Sequence, residues 1–555
     1  MSLYDFPHTG NYDQDLGFLI KRYHELTKDF ISTKEEFEKL KIWVNEQVGN
    51  PNLQKLINNK LDEWLDSGII AQILLNEFYK MPFITPELYG AVGDGVTDDT
   101  KALQDTIDNS ENKIIVMTKK YFISKPLQIL NKENFKMMGG TIITKSHTPV
   151  PNENYSFIFN ILNSNNVVFE NIEFFSKNDN YPYLDYYFHV DTTTLDSNML
   201  AFRITNSNNV NISECVSHEC WLGTFTNVNK LLLESCKSIE GGTGLVLTSS
   251  NDVNINNFYF EPNKSGLDQY YHAFYLNGGN DNVVFNTIDV NCSSLSEDKA
   301  LTDIFHFYTT SDRVNNKIVV NDVTIKDSVK SISFINNCNY VEFNNVKFIL
   351  TTAFTNVVNY LFQIANKIKD ININNLYITN SPNISSNRCL VHGMSDGFSV
   401  NHITFDNLTY IVNNMSTPLV EASKIPIIIK NSILSLNSIT TYLSKNSYLS
   451  LEHSKLIISD CNNTDVIYNN NTVNYGNRVI KCEFNVNNCL SIFHFSNGGS
   501  NTIINNYINC RTPTSGYAYN GDISTTESSM NIFKGTLSKG IGPTSYTGHS
   551  DITYK

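Results

Sequence analysis

Apolar positions near the start of the chain recur at alternating spacings of three and four residues: Leu16, Leu19, Tyr23, Leu26, Phe30, Thr33, Phe37, Leu40, Val44 and Gln47. A seam of this period predicts a helix that packs against copies of itself as a coiled coil, about 45 Å long at ~1.5 Å per residue. Charged residues such as Lys21, Arg22, Glu25, Glu35, Glu36 and Lys39 lie between the seam positions, and Gly49-Asn50-Pro51 ends the helix. An amphipathic helix packed on its own domain would leave a similar stripe, but the sustained 3.5-residue period favours an oligomeric stalk. The mixed seam leaves the strand number open. Leu53 to Phe78, broken at Gly68, predicts one or two linking helices.

Beyond residue 89 the period changes to that of short strands. An asparagine-rich turn followed by an alternating strand recurs, as in Asn165-Asn166-Val167-Val168-Phe169, Asn208-Asn209-Val210-Asn211-Ile212 and Asp281-Asn282-Val283-Val284-Phe285. The nearest repeats, Leu231 to Val253, Ile318 to Val341 and Ile403 to Ile427, are 22 to 24 residues apart. That length suits one solenoid turn of three strands, and longer gaps such as Val167 to Val210 predict turns with inserted loops. About a dozen turns at roughly 4.8 Å each give a rod of order 60 Å, with Val, Ile, Leu and Phe inside and asparagines at the bends. A propeller or a series of sandwiches would need turn signals every 8 to 12 residues or so, which fits less well.

The stretch Tyr89-Gly90-Ala91-Val92-Gly93-Asp94-Gly95-Val96-Thr97-Asp98-Asp99-Thr100-Lys101-Ala102-Leu103-Gln104 can be read physically first. Gly90, Gly93 and Gly95 permit a tight path, and Asp98 or Asp99 is placed to cap a helix over Thr100 to Asp108. That helix would cover the open first turn of the solenoid. Asp94, Asp98 and Asp99 lack the spacing of an EF-hand loop and its terminal Glu, so they are structural rather than catalytic candidates.

The same stretch resembles the opening motif GAxGDGxxDDTxAxQ of the pectate-lyase-like β-helix family found in many phage tail spikes and polysaccharide-active proteins. With the strands expected at Lys113–Met117, Tyr121–Leu127 and Gly139–Ile143, the resemblance extends over about sixty residues. It implies a mainly β fold: a right-handed parallel β-helix behind an N-terminal coiled-coil stalk, assembled as a homotrimer. The opening Pro7-His8-Thr9-Gly10-Asn11-Tyr12-Asp13-Gln14-Asp15-Leu16 also looks like the starts of phage tail proteins from Gram-positive hosts. The expected organisation is an attachment segment and stalk at 1–50, a helical linker at 51–84, the β-helix at 85–510 and a cap or trimer-contact segment at 511–555.

Composition narrows the partners. A net charge of −14 argues against nucleic acid, whose phosphates call for a basic surface. The start lacks a basic segment and apolar run of signal type, and no apolar stretch near it would span a bilayer. The expectation is synthesis in the host cytoplasm without a signal peptide, no membrane insertion, and residence in the virion beside tail or collar proteins. Ten cysteines show no CxxC pair or zinc-finger spacing and are expected as free, buried thiols. Cys215 and Cys236, and Cys489 and Cys510, each 21 residues apart, are candidates to stack on adjacent turns.

Solenoid interiors are filled, so chemistry belongs on outer faces and inserted loops. The insertion at 177–199 supplies Tyr183, Asp185, Tyr186, Tyr187 and Asp191, a mixture that fits stacking and hydrogen bonding to sugars or equally packing against a neighbour. Trp221, Tyr270 and Tyr271 join them as binding candidates, and Asp268, His272, Asp303, His306 and Glu219 are the catalytic ones. Glycoside hydrolysis needs two carboxylates, whereas a uronate lyase needs a base and usually a cation or calcium. Sparse Arg and Lys favour hydrolysis, with no required cofactor and calcium as the one metal left open. Histidines such as His218, His272 and His306 would instead serve as acid and base on wall teichoic acid, a phosphodiester polymer. The leading expectation is a spike that binds and cleaves a bacterial surface glycopolymer; a spike that only binds it, and a free polysaccharide lyase or hydrolase, are the alternatives.

Overall fold

In the computed structural model the chain forms two compact units, residues 1–84 and 85–555. The structure describes residues 83–144, 155–176, 198–262, 272–293, 303–308, 313–327, 331–350, 359–365, 368–380, 388–393, 402–412, 418–421, 425–436, 439, 443–445, 448–460, 465–469, 477–495, 501–511, 517–521, 526–536 and 550–554. The expected coiled coil and linking helices lie outside these residues. So do Tyr183, Asp185, Tyr186, Tyr187, Asp191, Asp268, Tyr270 and Tyr271.

The second unit is a parallel β-helix. Fifteen strands, from Leu127–Leu130 to Tyr517–Gly521, form one sheet in which each strand pairs with the strands one turn before and after it. The pairings are parallel, as where Phe159 stands opposite Phe202 and Phe274 opposite Phe305. A second sheet of 30 strands supplies two further strands per rung on average. Asn251–Pro262 shows how: its first half pairs with Asn229–Glu234 and its second half with Lys237–Gly241, so one strand turns a corner. Fifteen strands in the first sheet, among the described residues, exceed the dozen turns expected, because turns carrying long insertions lack the 22 to 24 residue spacing by which they were counted.

Parallel pairing places like residues above one another, so the core is built of columns. Phe159 and Phe202 stack with ring centroids 5.8 Å apart, and Phe274 and Phe305 at 5.0 Å. All four are fully buried, each contributing about 2–3 kcal/mol of apolar transfer. The corners are where asparagine is required. Asp322, Asn345, Asn375 and Asn407 have φ of 54°, 56°, 55° and 59°, a left-handed conformation that Asn and Asp tolerate better than other residues with a β-carbon. Their side chains then link turn to turn, Asn345 donating to Asp322 at 2.8 Å, Asn375 to Asn345 at 2.8 Å and Asn407 to Asn375 at 2.7 Å.

The opening motif forms the N-terminal closure. Gly90, Gly93 and Gly95 all have positive φ, and a β-carbon on Gly93 would lie 2.6 Å from Lys119 Cδ. The helix spans Thr100–Asp108, as expected, but the two aspartates before it divide the work differently. Asp98 Oδ1 accepts the Thr100 N–H at 3.0 Å. Asp99, the N-cap residue by position, makes no side-chain cap; its buried carboxylate accepts the N–H groups of Val92 at 2.7 Å and Gly93 at 3.0 Å and so clamps the glycine loop. Asp94 closes its own turn, and the backbone N–H groups of Thr97 and Val96 hold its carboxyl below the usual value. Thr100 Oγ1 accepts the Ser124 N–H at 2.8 Å, tying the helix start to the first rung.

One further expectation is corrected. Cys215 and Cys236 occupy neighbouring turns, each directly preceding the paired residues Val216 and Lys237, and both are buried. Cys510, however, stands opposite Val486, three residues short of Cys489, so that pair does not share a register position. Strand pairing also continues past residue 510: Tyr517–Gly521 adds to the first sheet, and Thr526–Thr536 and Ser550–Tyr554 add to the second. The segment 511–555 is therefore built at least partly of further rungs. No helix among the described residues is long and apolar enough to cross a membrane.

Candidate catalytic site

His272, Asp303 and Ser331 open three consecutive strands of the fifteen-stranded sheet, His272–Leu276, Asp303–Phe307 and Ser331–Ile335, and stand opposite one another in register. The next two residues of the first two strands, Ala273 and Phe274, then Ile304 and Phe305, are fully buried in the core. The outer face is therefore shared by the first and fourth residues of each strand, which brings His306 back beside Asp303. Tyr275 and Phe334 occupy the fourth position on the turns before and after His306.

Asp303 is the centre of this cluster and is 2% exposed. Its Oδ2 lies 2.8 Å from His306 Nδ1 and 3.6 Å from His272 Nδ1, and the Ser331 hydroxyl donates to its Oδ1. An ionised carboxylate only accepts hydrogen bonds, so the His306 nitrogen that faces it carries the proton and Nε2 is the ring's remaining acceptor. The distance to His272 is too long for a direct hydrogen bond and leaves a charge contact when that ring is protonated. The two imidazoles are 4.0 Å apart between centroids. His306 stacks on Phe334 at 4.8 Å and on Tyr275 at 5.0 Å, which fixes its plane.

One buried acid thus holds one imidazole by a hydrogen bond and lies 3.6 Å from a second, a combination able to remove a proton with one ring and supply one with the other. Among the described residues, His272, Asp303 and His306 also form a group whose ligand atoms lie within 4.8 Å of one another and could hold a metal ion. Two nitrogens and one oxygen suit zinc or another transition metal, not calcium, which takes six to eight or so oxygens.

Three of the catalytic candidates, His272, Asp303 and His306, come together here. Glu219 does not: it takes a left-handed turn conformation between Val216–His218 and Trp221–Thr226, three turns from Asp303 in the order of the sheet. Trp221 is 6% exposed and packs with Phe157, Leu200 and Val246, so it serves an apolar cluster more than an open sugar platform. His218 belongs to the other sheet, stacked on Phe175 at 4.2 Å, and its burial lowers its pKa. Sequence reading missed Ser331 and Tyr275, which only the strand register brings to the cluster. It missed as well a second pair on the same sheet, Asp465 and His494, with Ser491 beside them.

No protein-family model matches the chain. Over 58 residues it is 43% identical to a capsule K30/K69-specific depolymerase of Klebsiella phage K64-1, covering 10% of this chain and 8% of that protein. Over 98 residues it is 29% identical to the preneck appendage protein of Bacillus phage PZA, covering 17% of this chain and 11% of the relative. The matches thus span about a tenth of the curated relatives' length. Among solved structures, the Dettilon tailspike protein aligns with 85% of this chain and 69% of its own, at 10% identity and a TM-score of 0.36. The similarity to phage depolymerase and appendage proteins is confined to these segments.

Proposed function

We propose that this protein is a phage tail spike or appendage that binds a bacterial surface glycopolymer and depolymerises it by hydrolysis, with the cleavage site at Asp303, His272 and His306. The observation that carries the reading is the buried Asp303 carboxylate holding His306 Nδ1 at 2.8 Å, with a second imidazole 4.0 Å from the first. His306, with Nδ1 toward Asp303, is the general base toward water; His272, with Nδ1 3.6 Å from the same carboxylate, is the acid that protonates the leaving oxygen. Each role supplies a rate factor of roughly 10²–10⁴. An imidazole pair of this kind suits a phosphodiester linkage, as in wall teichoic acid. The similarity to a capsule depolymerase and a preneck appendage supports placement on the virion and action at the cell surface.

A second reading is glycoside cleavage, which uses two carboxylates. Asp303 would be one, and Asp268, four residues before His272, is the candidate for the other. It is favoured by the capsule specificity of the Klebsiella phage relative. Incubation with wall teichoic acid and with capsular polysaccharide separates the two: new phosphomonoester ends support the imidazole pair, new reducing sugar ends support the carboxylate pair. If both polymers stay full length across a range of pH, the chain is a binding spike only.

A further inference from the structure

Asp465, Ser491 and His494 repeat the construction of the first cluster on a distant part of the same sheet. Asp465 opens Asp465–Asn469, stands opposite Ser491 on the next turn, and accepts that hydroxyl at Oδ1, as Asp303 accepts Ser331. Its Oδ2 lies 2.7 Å from His494 Nδ1, as Asp303 Oδ2 lies 2.8 Å from His306 Nδ1. Asp465 is buried, and the His494 side chain is 23% exposed. One difference is instructive. His306 is on the strand of its aspartate, whereas His494 is on the following strand, three residues after Ser491. The same fourth-position column is thus reached from the aspartate's own strand in one cluster and from the following strand in the other, so the recurrence is of geometry and not of a copied sequence.

The two histidines belong to one column. From His306 the register passes through Phe334, Gln363 and His392 to Glu421. It resumes at Lys445 and passes through Tyr468 to His494. Six strand steps separate the turn of Asp303 from that of Asp465, about 29 Å at ~4.8 Å per step. A ring held through Nδ1 by a buried carboxylate offers a fixed Nε2, able to accept a hydroxyl hydrogen when neutral and to donate to an anionic oxygen when protonated. A buried acid with two partners is more than a solvated surface pair needs, and the arrangement freezes that ring's orientation. A second imidazole, which the first cluster has in His272, is not among the partners described for Asp465. Among the described residues, the second cluster can therefore hold a polar chain but does not pair an acid with a base.

We infer that Asp465, Ser491 and His494 form a second subsite, which binds a distal stretch of the same hydroxyl-rich or phosphate-bearing glycopolymer while the first cluster engages its cleavage point. The inference rests on the glycopolymer reading above. Two linked contacts on one long chain raise its affinity without any new interaction, because the second contact is intramolecular.

The test uses the full chain carrying His306→Ala, so that polymer is consumed far more slowly than it binds, with and without His494→Ala. The probes are a glycerol-phosphate teichoic acid and an acidic capsular polysaccharide, each as long chains and as oligomers too short to span about 29 Å. Two oligomer equivalents per chain are expected in the first protein and one in the second, with affinity for long chains falling at least about tenfold. His494→Gln and Ser491→Ala, gentler changes, should give intermediate long-chain affinity at unchanged melting temperature. One oligomer equivalent in both proteins with equal long-chain affinity overturns the subsite and leaves the first site standing. No binding of either polymer overturns the subsite and the glycopolymer reading together.

Discussion

The side chain of Gln104 pairs with the backbone of Gln128 as a neighbouring strand would: its Nε2 donates to the Gln128 carbonyl at 3.0 Å and its Oε1 accepts the Gln128 N–H at 2.8 Å. Gln128 sits in Leu127–Leu130, the terminal strand of the fifteen-stranded sheet, so this carboxamide satisfies an edge that would otherwise present unpaired groups. Gln104→Ala removes both bonds, at a cost of about 1–2 kcal/mol. The expected readouts are a lower melting temperature and faster amide exchange at Gln128. Unchanged exchange there would mean that the helix shields the edge by bulk alone.

Burial makes the described thiols unreactive. Seven of the ten cysteines are described as free and buried, and burial pushes Cys236, Cys338 and Cys482 up to about 12. Thiolate is the reactive form, so a thiol reagent at neutral pH should label three cysteines at most in the native chain and all ten after denaturation. Faster native labelling of Cys215 or Cys236 would show that the early turns open.

The parts of this architecture that were legible in the sequence are those in which local chemistry repeats. Asparagine at a corner with φ near 55°, as at Asn345 and Asn375, and the buried apolar residues one and three positions after it, Val346 and Phe348 or Leu376 and Ile378, are set by neighbours in the chain. The glycine loop and the helix at Thr100–Asp108 are equally local. What could not be read is what depends on register between turns. Cys489 and Cys510 have the same spacing as Cys215 and Cys236, yet an offset of three residues separates them. Ser331 joins Asp303 across 28 residues, and Asp465 finds His494 across 29, separations set by insertion lengths that leave no periodic signal. His272, Asp303 and His306 were visible as residue types and Glu219 equally so; only the pairing of turns distinguishes them.

The donor set of the first cluster invites a metal, and chelation decides between that chemistry and proton transfer. If His306 is held by Asp303 as a base, treatment with a chelator followed by dialysis leaves the rate of polymer cleavage unchanged. Loss of activity that zinc restores, and calcium does not, would assign His272, Asp303 and His306 as ligands instead.

The roles within the cluster make graded demands on substitution. His306→Ala deletes the proposed base and should lower the cleavage rate by roughly 10²–10⁴. Asp303→Asn keeps the shape but replaces an acceptor by an amide that can present N–H to the ring, so His306 loses the tautomer that leaves Nε2 free; a loss of similar size is expected. Ser331→Ala removes a hydroxyl that only orients Asp303, and the effect should be smaller, about tenfold or less, corresponding to one hydrogen bond of roughly 1 kcal/mol. His272→Ala separates the two rings: if it is the acid, its loss is most severe on substrates with a poor leaving group and mild on an activated aryl ester. Equal loss on both substrates would leave His272 as a support for His306, against which it lies at 4.0 Å.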